Sequence, residues 1–390
     1  MRSKDTKLKI FLIFFGVIYI ISFVLTTRIE LNIGNLDNSN RYTDMNEKNL
    51  KISEVRGKIY IYNNWSAAVS TGICTGNGTY AHPYIIENFI IDAGSSGSPI
   101  NIRSSDVFFE IRNCIVYGAE ENPLIYDPHF GGIHLLSVSN AKIYNNTCSF
   151  NSIGILLQSC DNSTFMDNKI NNNTEFGMDM YTCDLNKISV NTIFYNEYSG
   201  IRLFSSHNNT FSDNILNYNG DDAMWIDGSS SSRYINNITG NVANYNTGTG
   251  ISIRYSVASY ISGNNLNYNG GHGIFLRDCN ISTVIENNAT NNNYEGINLY
   301  NSDNINITEN CLNYNSRYGL YLRESDNNII SDNEFIGNPI CWVQDEFCVG
   351  NTFKNNICIV PGGIPGYNFF LLVVVLFITA IILNRNRSKC

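Results

Sequence analysis

Short runs of alternating apolar and polar residues recur along most of the chain, divided by turns rich in Ser, Asn and Asp; Gly200-Ile201-Arg202-Leu203-Phe204 is a typical run. Alternation with a period of two predicts strands that bury one face, and runs this short predict many small strands instead of helices. The runs keep a register. A glycine followed by an apolar-x-apolar triplet stands at Gly132, Gly154, Gly177, Gly200, Gly250, Gly273, Gly296 and Gly319, with Ala223 in the one gap, so that the step is 22 or 23 residues except for one of 27. Asparagine keeps a second column at Asn88, Asn113, Asn146, Asn168, Asn191, Asn214, Asn241, Asn264, Asn287, Asn310, Asn333 and Asn356. Two columns held in step over so many units predict a repeat architecture.

A period near 23 is too short for helical repeats and lies within the leucine-rich range, yet the leucine spacing and the helical half of that repeat are missing. What remains is an all-β chain wound as a parallel β-helix of about eleven or twelve coils, in which equivalent positions stack about 4.8 Å apart. Ile133, Ile155, Met178, Ile201, Met224, Ile251, Ile274, Ile297 and Leu320 then form one continuous apolar stack. The asparagines are expected to turn inward and bond to the main chain and to the amides above and below. They are also expected to take the left-handed conformation of a tight corner themselves.

With these features the sequence resembles the right-handed parallel β-helix repeat proteins of the NosD-like, carbohydrate-binding and sugar-hydrolase group. The resemblance spans residues 80–359 and rests on the Gly-Ile-x-Leu strands, the Asn-Asn-x-Ile turns and the segment His82-Pro83-Tyr84-Ile85-Ile86-Glu87-Asn88. It implies the fold. For function it implies only a group that holds lyases, hydrolases, epimerases, adhesins and proteins of no known activity.

The ends differ from the repeat. Residues 10–25 are apolar and follow Lys4, Lys7 and Lys9, the shape of a signal segment or an anchor. Residues 369–383 are apolar and precede Arg385, Arg387 and Lys389, a cytoplasmic-side flank. The expected organisation is a signal or membrane anchor at 1–27, a polar stalk at 28–57 and an N-terminal cap at 58–79 built on Lys58, Ile59, Tyr60, Ile61 and Trp65. The repeat follows at 80–360, then a linker at 361–366 and a transmembrane or sorting tail at 367–390. Pro365-Gly366-Tyr367 before the last apolar run resembles the tails of archaeal surface proteins, which are cut and exchanged for a lipid. Cys341, Trp342, Phe347 and Cys348 are expected to close the C-terminal coil, and inserts at 117–130 and 229–233 to form loops. The protein is thus expected at the cell membrane with its repeat outside, where the ten Asn-x-Ser/Thr sequons between the apolar runs would be accessible.

Composition narrows the partners. A net charge of −9 with no basic stretch excludes a phosphate-backbone partner, so no nucleic acid is expected. With 43% hydrophobic and 15% charged residues the chain is no disordered tract, and its 62 asparagines need partners if they are buried. Of eleven cysteines ten lie between the apolar runs, with no CxxC or zinc spacing, and no metal ligand set is expected. Cys160 and Cys183 each stand six residues after a repeat glycine, in one column of neighbouring coils, and are expected to form a disulfide.

Residues between the inward positions face outward. One outward column reads His134, Leu156, Asp179, Arg202, Trp225, Ser252, Phe275, Asn298, Tyr321, and its neighbour Leu136, Gln158, Tyr181, Phe204, Asp227, Arg254, Arg277, Tyr300, Arg323. Rings take the C–H faces of sugars while charged groups take their hydroxyls. Asp179, Arg202, Trp225, Asp227, Arg254, Phe275, Arg277, Tyr300, Tyr321 and Arg323 are therefore the candidate polysaccharide-binding set. Arg254 beside Arg277 is a repulsive pair that a carboxylate or sulfate from outside would relieve. A purely structural account also exists, in which Asp227 pairs with Arg254, Asp179 pairs with Arg202, and Trp225 stacks on Arg202.

For catalysis the candidates are Asp221, Asp222, Asp227 and His272. Gly220-Asp221-Asp222 and Gly271-His272-Gly273 resemble two polygalacturonase motifs, which implies aspartates as acid and base. However, Asp222 and His272 stand two coils apart, Glu197-Tyr198-Ser199 occupies the place of that family's Asn-Thr-Asp, and its Arg-Ile-Lys is absent. A lyase would need calcium and an Arg or Lys base, for which Asp179, Asp227 and Arg254 supply the types but stand dispersed; otherwise no cofactor is expected. Copper is not expected, because Met178, Met180 and Met224 fall in inward columns and the histidines are scattered. The leading expectation is a membrane-anchored surface protein that binds extended acidic polysaccharide or serves adhesion. A polysaccharide hydrolase or lyase and a purely structural envelope protein are the alternatives.

Overall fold

The computed structural model describes residues 54–120, 130–228 and 235–361. Both terminal apolar runs, most of the expected stalk, most of the first insert and all of the second lie outside the described residues. Among the described residues no helix is long and apolar enough to cross a membrane.

The coils contribute strands to two long parallel sheets, and most of them add one to a third. The Gly-apolar runs make a 12-stranded sheet from Ile59–Tyr62 to Ile340–Gln344, and a second 12-stranded sheet runs from Tyr84–Glu87 to Thr352–Lys354. The third has seven strands, Glu54–Arg56 to Ile215–Asn217, and then continues as single bridges through Val242, Asn265, Asn288 and Cys311 to Glu334. Glu54–Arg56, expected at the end of a stalk, pairs in register with Phe89–Asp92 and so belongs to the first coil.

The register is that of the sequence columns: Met224 lies beside Ile251, Ile251 beside Ile274, and Ile274 beside Ile297. All nine residues of the expected apolar stack are fully buried. The glycine column is set by space. A Cβ at Gly177 would lie 2.4 Å from Ile193 Cγ2 and 2.6 Å from the Gly200 carbonyl oxygen.

The inward asparagines form the ladder that pays the polar cost of the core. Asn168 donates from Nδ2 to Asn191 Oδ1 (3.0 Å) and to the Ile143 carbonyl (2.9 Å), and its main-chain N–H donates to the same Asn191 oxygen (3.0 Å). The pattern repeats to Asn356. A second ladder, from Asn151 to Asn338, follows the third sheet. One expectation is corrected here: the ladder asparagines do not take the left-handed conformation. The residue before each does, as at Asp167, Val190 and Asp213 (φ 53°, 59° and 56°), which frees the asparagine to point inward. Asn88 and Asn113 are themselves left-handed (φ 62° and 55°), and Asn145, not Asn146, bonds to Asn113. Acidic side chains serve the corners after the main-sheet strands: Asp161 Oδ1 accepts from the Asp184 N–H, and Asp303 Oδ1 from the Asp326 N–H, both at 2.8 Å.

The ends are plugged. The short helix Trp65–Ser70 lays buried Trp65 flat on Tyr84, with centroids 4.7 Å apart, and Trp65 Nε1 donates to Ser105 Oγ (2.8 Å). At the other end Trp342 stacks on Phe353, and a disulfide joins Cys341 to Cys358. Cys348 stays a thiol and Phe347 is exposed, so these two expected cap residues contribute less.

The expected Cys160–Cys183 bridge is not formed; both are free, buried thiols. Residues in register on parallel strands have parallel Cα–Cβ vectors about one coil rise apart, whereas a disulfide needs converging ones. Each thiol instead donates to main-chain carbonyls, Cys160 to Leu135 and Cys183 to Tyr181. Cys341→Ser opens a loop of 17 residues in sequence separation. It is expected to cost about 2 kcal/mol and to fray the last coil first, seen as early hydrogen exchange around residues 340–359.

Candidate functional site

The outward face of the main sheet is not uniformly open. His134, Leu156 and Asp179, expected to face solvent, are fully buried, Leu156 packing with Ile153 and Phe176. Asp179 accepts two hydrogen bonds from Arg202, Nε to Oδ1 at 2.7 Å and Nη2 to Oδ2 at 2.6 Å. The Arg202 guanidinium also bonds to the Tyr181 hydroxyl and lies 3.9 Å over the Phe176 ring. Asp179 and Arg202 are therefore a closed knot, which withdraws them from the binding set. Trp225 does not stack on Arg202; the Arg254 guanidinium faces its ring at 6.0 Å.

Beyond the knot the surface opens into a pocket of about 390 Å³ lined by Asp221, Asp222, Trp225, Thr249, Ser252, Arg254, His272 and Phe275. Three successive coils build it. Asp222, Thr249 and His272 come from the turns that lead into the strands Met224–Asp227, Ile251–Arg254 and Ile274–Arg277, and Trp225, Ser252 and Phe275 are the first outward residues of those strands. Glycines let the turns close up: a Cβ at Gly248 would lie 2.4 Å from Asp222 Oδ1. In the neighbouring turns Tyr198 packs against Phe176, and Tyr294 packs against His272 of the pocket.

The charges are strained. Burial pushes the Asp222 carboxyl up to about 6, reinforced by Asp221, although the Thr249 N–H donates to its Oδ1 at 2.5 Å and Arg254 and His272 draw it down. Burial likewise raises Asp227, with Arg254 and Arg277 opposing. His272 Nδ1 sits 2.7 Å from Oε2 of buried Glu295 but is not aligned to donate to it. Burial alone would raise Glu295; the contact with His272 brings it below the usual carboxylate range. Arg254 Nε is buried with no hydrogen-bond partner, and Arg254 stands in register with Arg277. Among the described residues no Asp227–Arg254 ion pair forms.

Of the sequence candidates, Asp221, Asp222, His272, Trp225, Arg254 and Phe275 thus meet in one pocket. Arg277 and Arg323 extend the site along the next coils, holding Tyr300 between their guanidinium groups at 5.2 and 4.9 Å, with Tyr321 beyond. Asp227 lies beside the pocket, next to Arg254 on the sheet. Sequence reasoning missed Glu295, whose only signal was a second acid one coil after His272.

Comparison with known proteins matches this architecture. The family model described as the right handed beta helix region matches residues 48–239, and the one described as periplasmic copper-binding protein (NosD) matches residues 219–357. The chain belongs to the right-handed β-helix family. No curated protein matches this β-helix chain. Similar solved structures include the A-modules of two Azotobacter vinelandii mannuronan C-5 epimerases, AlgE4 and AlgE6. Both are 14% identical, cover 69% of the β-helix chain and 83% of their own, and give TM-scores of 0.59 and 0.58. Likeness at that identity concerns the fold. The residues present do not fit copper: the Met178, Met180 and Met224 thioethers are sealed in the apolar stack and the Cys160 and Cys183 thiols are spent on carbonyls.

Proposed function

We propose that this β-helix protein binds an extended acidic polysaccharide along the outward face of its main sheet, displayed outside the cell and held to the membrane by its terminal apolar runs. The observation that carries the reading is Arg254. Its Nε is buried in a pocket between Trp225 and Phe275 with no partner, and it stands beside a second arginine. A buried donor without a partner is costly, and a carboxylate or sulfate on a sugar would satisfy it by a charge-assisted bond. The aromatic flanks suit the apolar faces of sugars. That similar folds occur in proteins named mannuronan epimerases supports the substrate class without assigning the activity.

A glycan array is expected to show binding to acidic polymers that weakens with salt. Arg254→Ala with Arg277→Ala is expected to lower affinity at least about tenfold. Binding that ignores charge and salt would overturn the acidic part, and no binding at all would favour an envelope role.

A second reading has its own support, since Asp222 and His272 line one pocket despite standing two coils apart. A carboxyl held near 6 can give up or take a proton near neutrality, as hydrolase or lyase chemistry requires. New reducing ends or unsaturated uronates, lost in Asp222→Asn, would establish an enzyme.

A further inference from the structure

At the corner that follows the third sheet every coil places one residue in the left-handed region just before the second asparagine ladder. Asn172, Asn291 and Gly337 are the residue types this conformation favours. Phe150 and Tyr314 are isolated rings in the same column (φ 56° and 54°), and four consecutive members are tyrosines: Tyr195, Tyr218, Tyr245 and Tyr268, at φ between 54° and 59°. A bulky ring there is a conformational outlier that persists only when something compensates. The corner before the first ladder carries Asn, Asp, Val, Gly and Glu at the same conformation and no aromatic residue.

The four rings stack on one another, with centroids 5.3, 5.1 and 5.0 Å apart, and each keeps about half its surface exposed (53, 43, 47 and 50%). Their faces largely cover one another, so the exposed surface is mainly ring edge. Asn217, Asn244 and Asn267 precede three of them and form an amide column, each Oδ1 accepting the next coil's N–H at 2.7 to 2.8 Å. Those three tyrosines also open the turns that carry Asp221 and Asp222, Thr249 and His272 into the pocket.

From this juxtaposition we infer that the tyrosine column is a second glycan-binding strip, along which an extended polysaccharide strand lies parallel to the solenoid axis with one sugar per coil. The ring spacing is close to the length of one pyranose in an extended chain, and ring edges and phenol hydroxyls are groups that sugars engage. A strip one ring wide falls far short of the roughly 800 Å² per partner that a specific protein interface covers. A linear polymer needs only one contact per repeat.

The inference rests on the glycan-binding reading, and chain length separates the two. Binding of the full-length protein would be measured against disaccharides and octasaccharides of mannuronate, galacturonate and cellobiose type. Tyr218→Asn with Tyr245→Asn, which installs a residue the column already uses, is expected to weaken octasaccharide binding about tenfold. Disaccharide binding and thermal midpoint are expected to hold. If octasaccharides bind no better than disaccharides, or the double variant leaves their affinity unchanged, the strip is overturned while the pocket stands. A lowered midpoint with unchanged affinity would make the stack purely structural. If the unaltered protein binds none of the panel, both fall.

Discussion

Asn241→Ala is expected to destabilise the rod by about 4 kcal/mol, more than any exposed change. Asn241 is fully buried. Its Oδ1 accepts from both the main-chain and side-chain nitrogens of Asn214, each at 3.0 Å. Its Nδ2 donates to the carbonyls of Phe211 and Thr239 and to Asn264 Oδ1, at 3.0, 3.2 and 3.0 Å. Alanine leaves the N–H of fully buried Asn214 without a partner, at roughly 1–3 kcal/mol, and adds a cavity. The exposed Asn237, four residues earlier, serves as control: Asn237→Ala should cost within about 0.5 kcal/mol. Guanidinium unfolding checks both. Equal, small losses would show that the ladder is dispensable.

A substitution in the pocket is expected to act in the opposite sense, with Asp222→Asn more stable than the unaltered chain by about 2–3 kcal/mol near pH 8. The sign follows from the raised carboxyl. Burial lifts Asp222 from its ordinary 3.8 to about 6, so between those values the unfolded chain ionises while the folded one holds its proton. That contribution is intact below the unfolded value and is lost as pH rises through about 6. Asparagine cannot ionise, and its oxygen still accepts from the Thr249 N–H. The gain should therefore vanish below about pH 4, and a variant less stable at pH 8 would refute the account. The same acidification should tighten binding of an anionic glycan by neutralising Asp222 beside Arg254.

Much of this was legible because a solenoid turns sequence spacing into spatial adjacency. Met224, Ile251 and Ile274 could be placed in contact from their numbers alone, and so could Arg254 beside Arg277. The pocket was only half legible: spacing placed Asp222 and His272 two coils apart and suggested separation, but turns of glycine and small residues let both line one hollow. Side-chain choices that spacing does not fix were missed. Phe176 reaches from a turn to stack on Arg202 and close the face over Asp179. The tyrosine column had a signal in the triplets Asn217-Tyr218-Asn219, Asn244-Tyr245-Asn246 and Asn267-Tyr268-Asn269. It goes unseen while asparagine alone is counted.

The second asparagine ladder makes the rod's length an adjustable quantity. The rungs from Asn151 to Asn338 receive from the coil before and give to the coil after, so the ladder does not depend on a coil's rank. Duplicating one 23-residue turn such as that from Asn292 to Asn315 would repeat the same ladder bonds and shift the plugged end by only about 4.8 Å. Selection could thus lengthen the solenoid one sugar-length at a time, without redesigning either end.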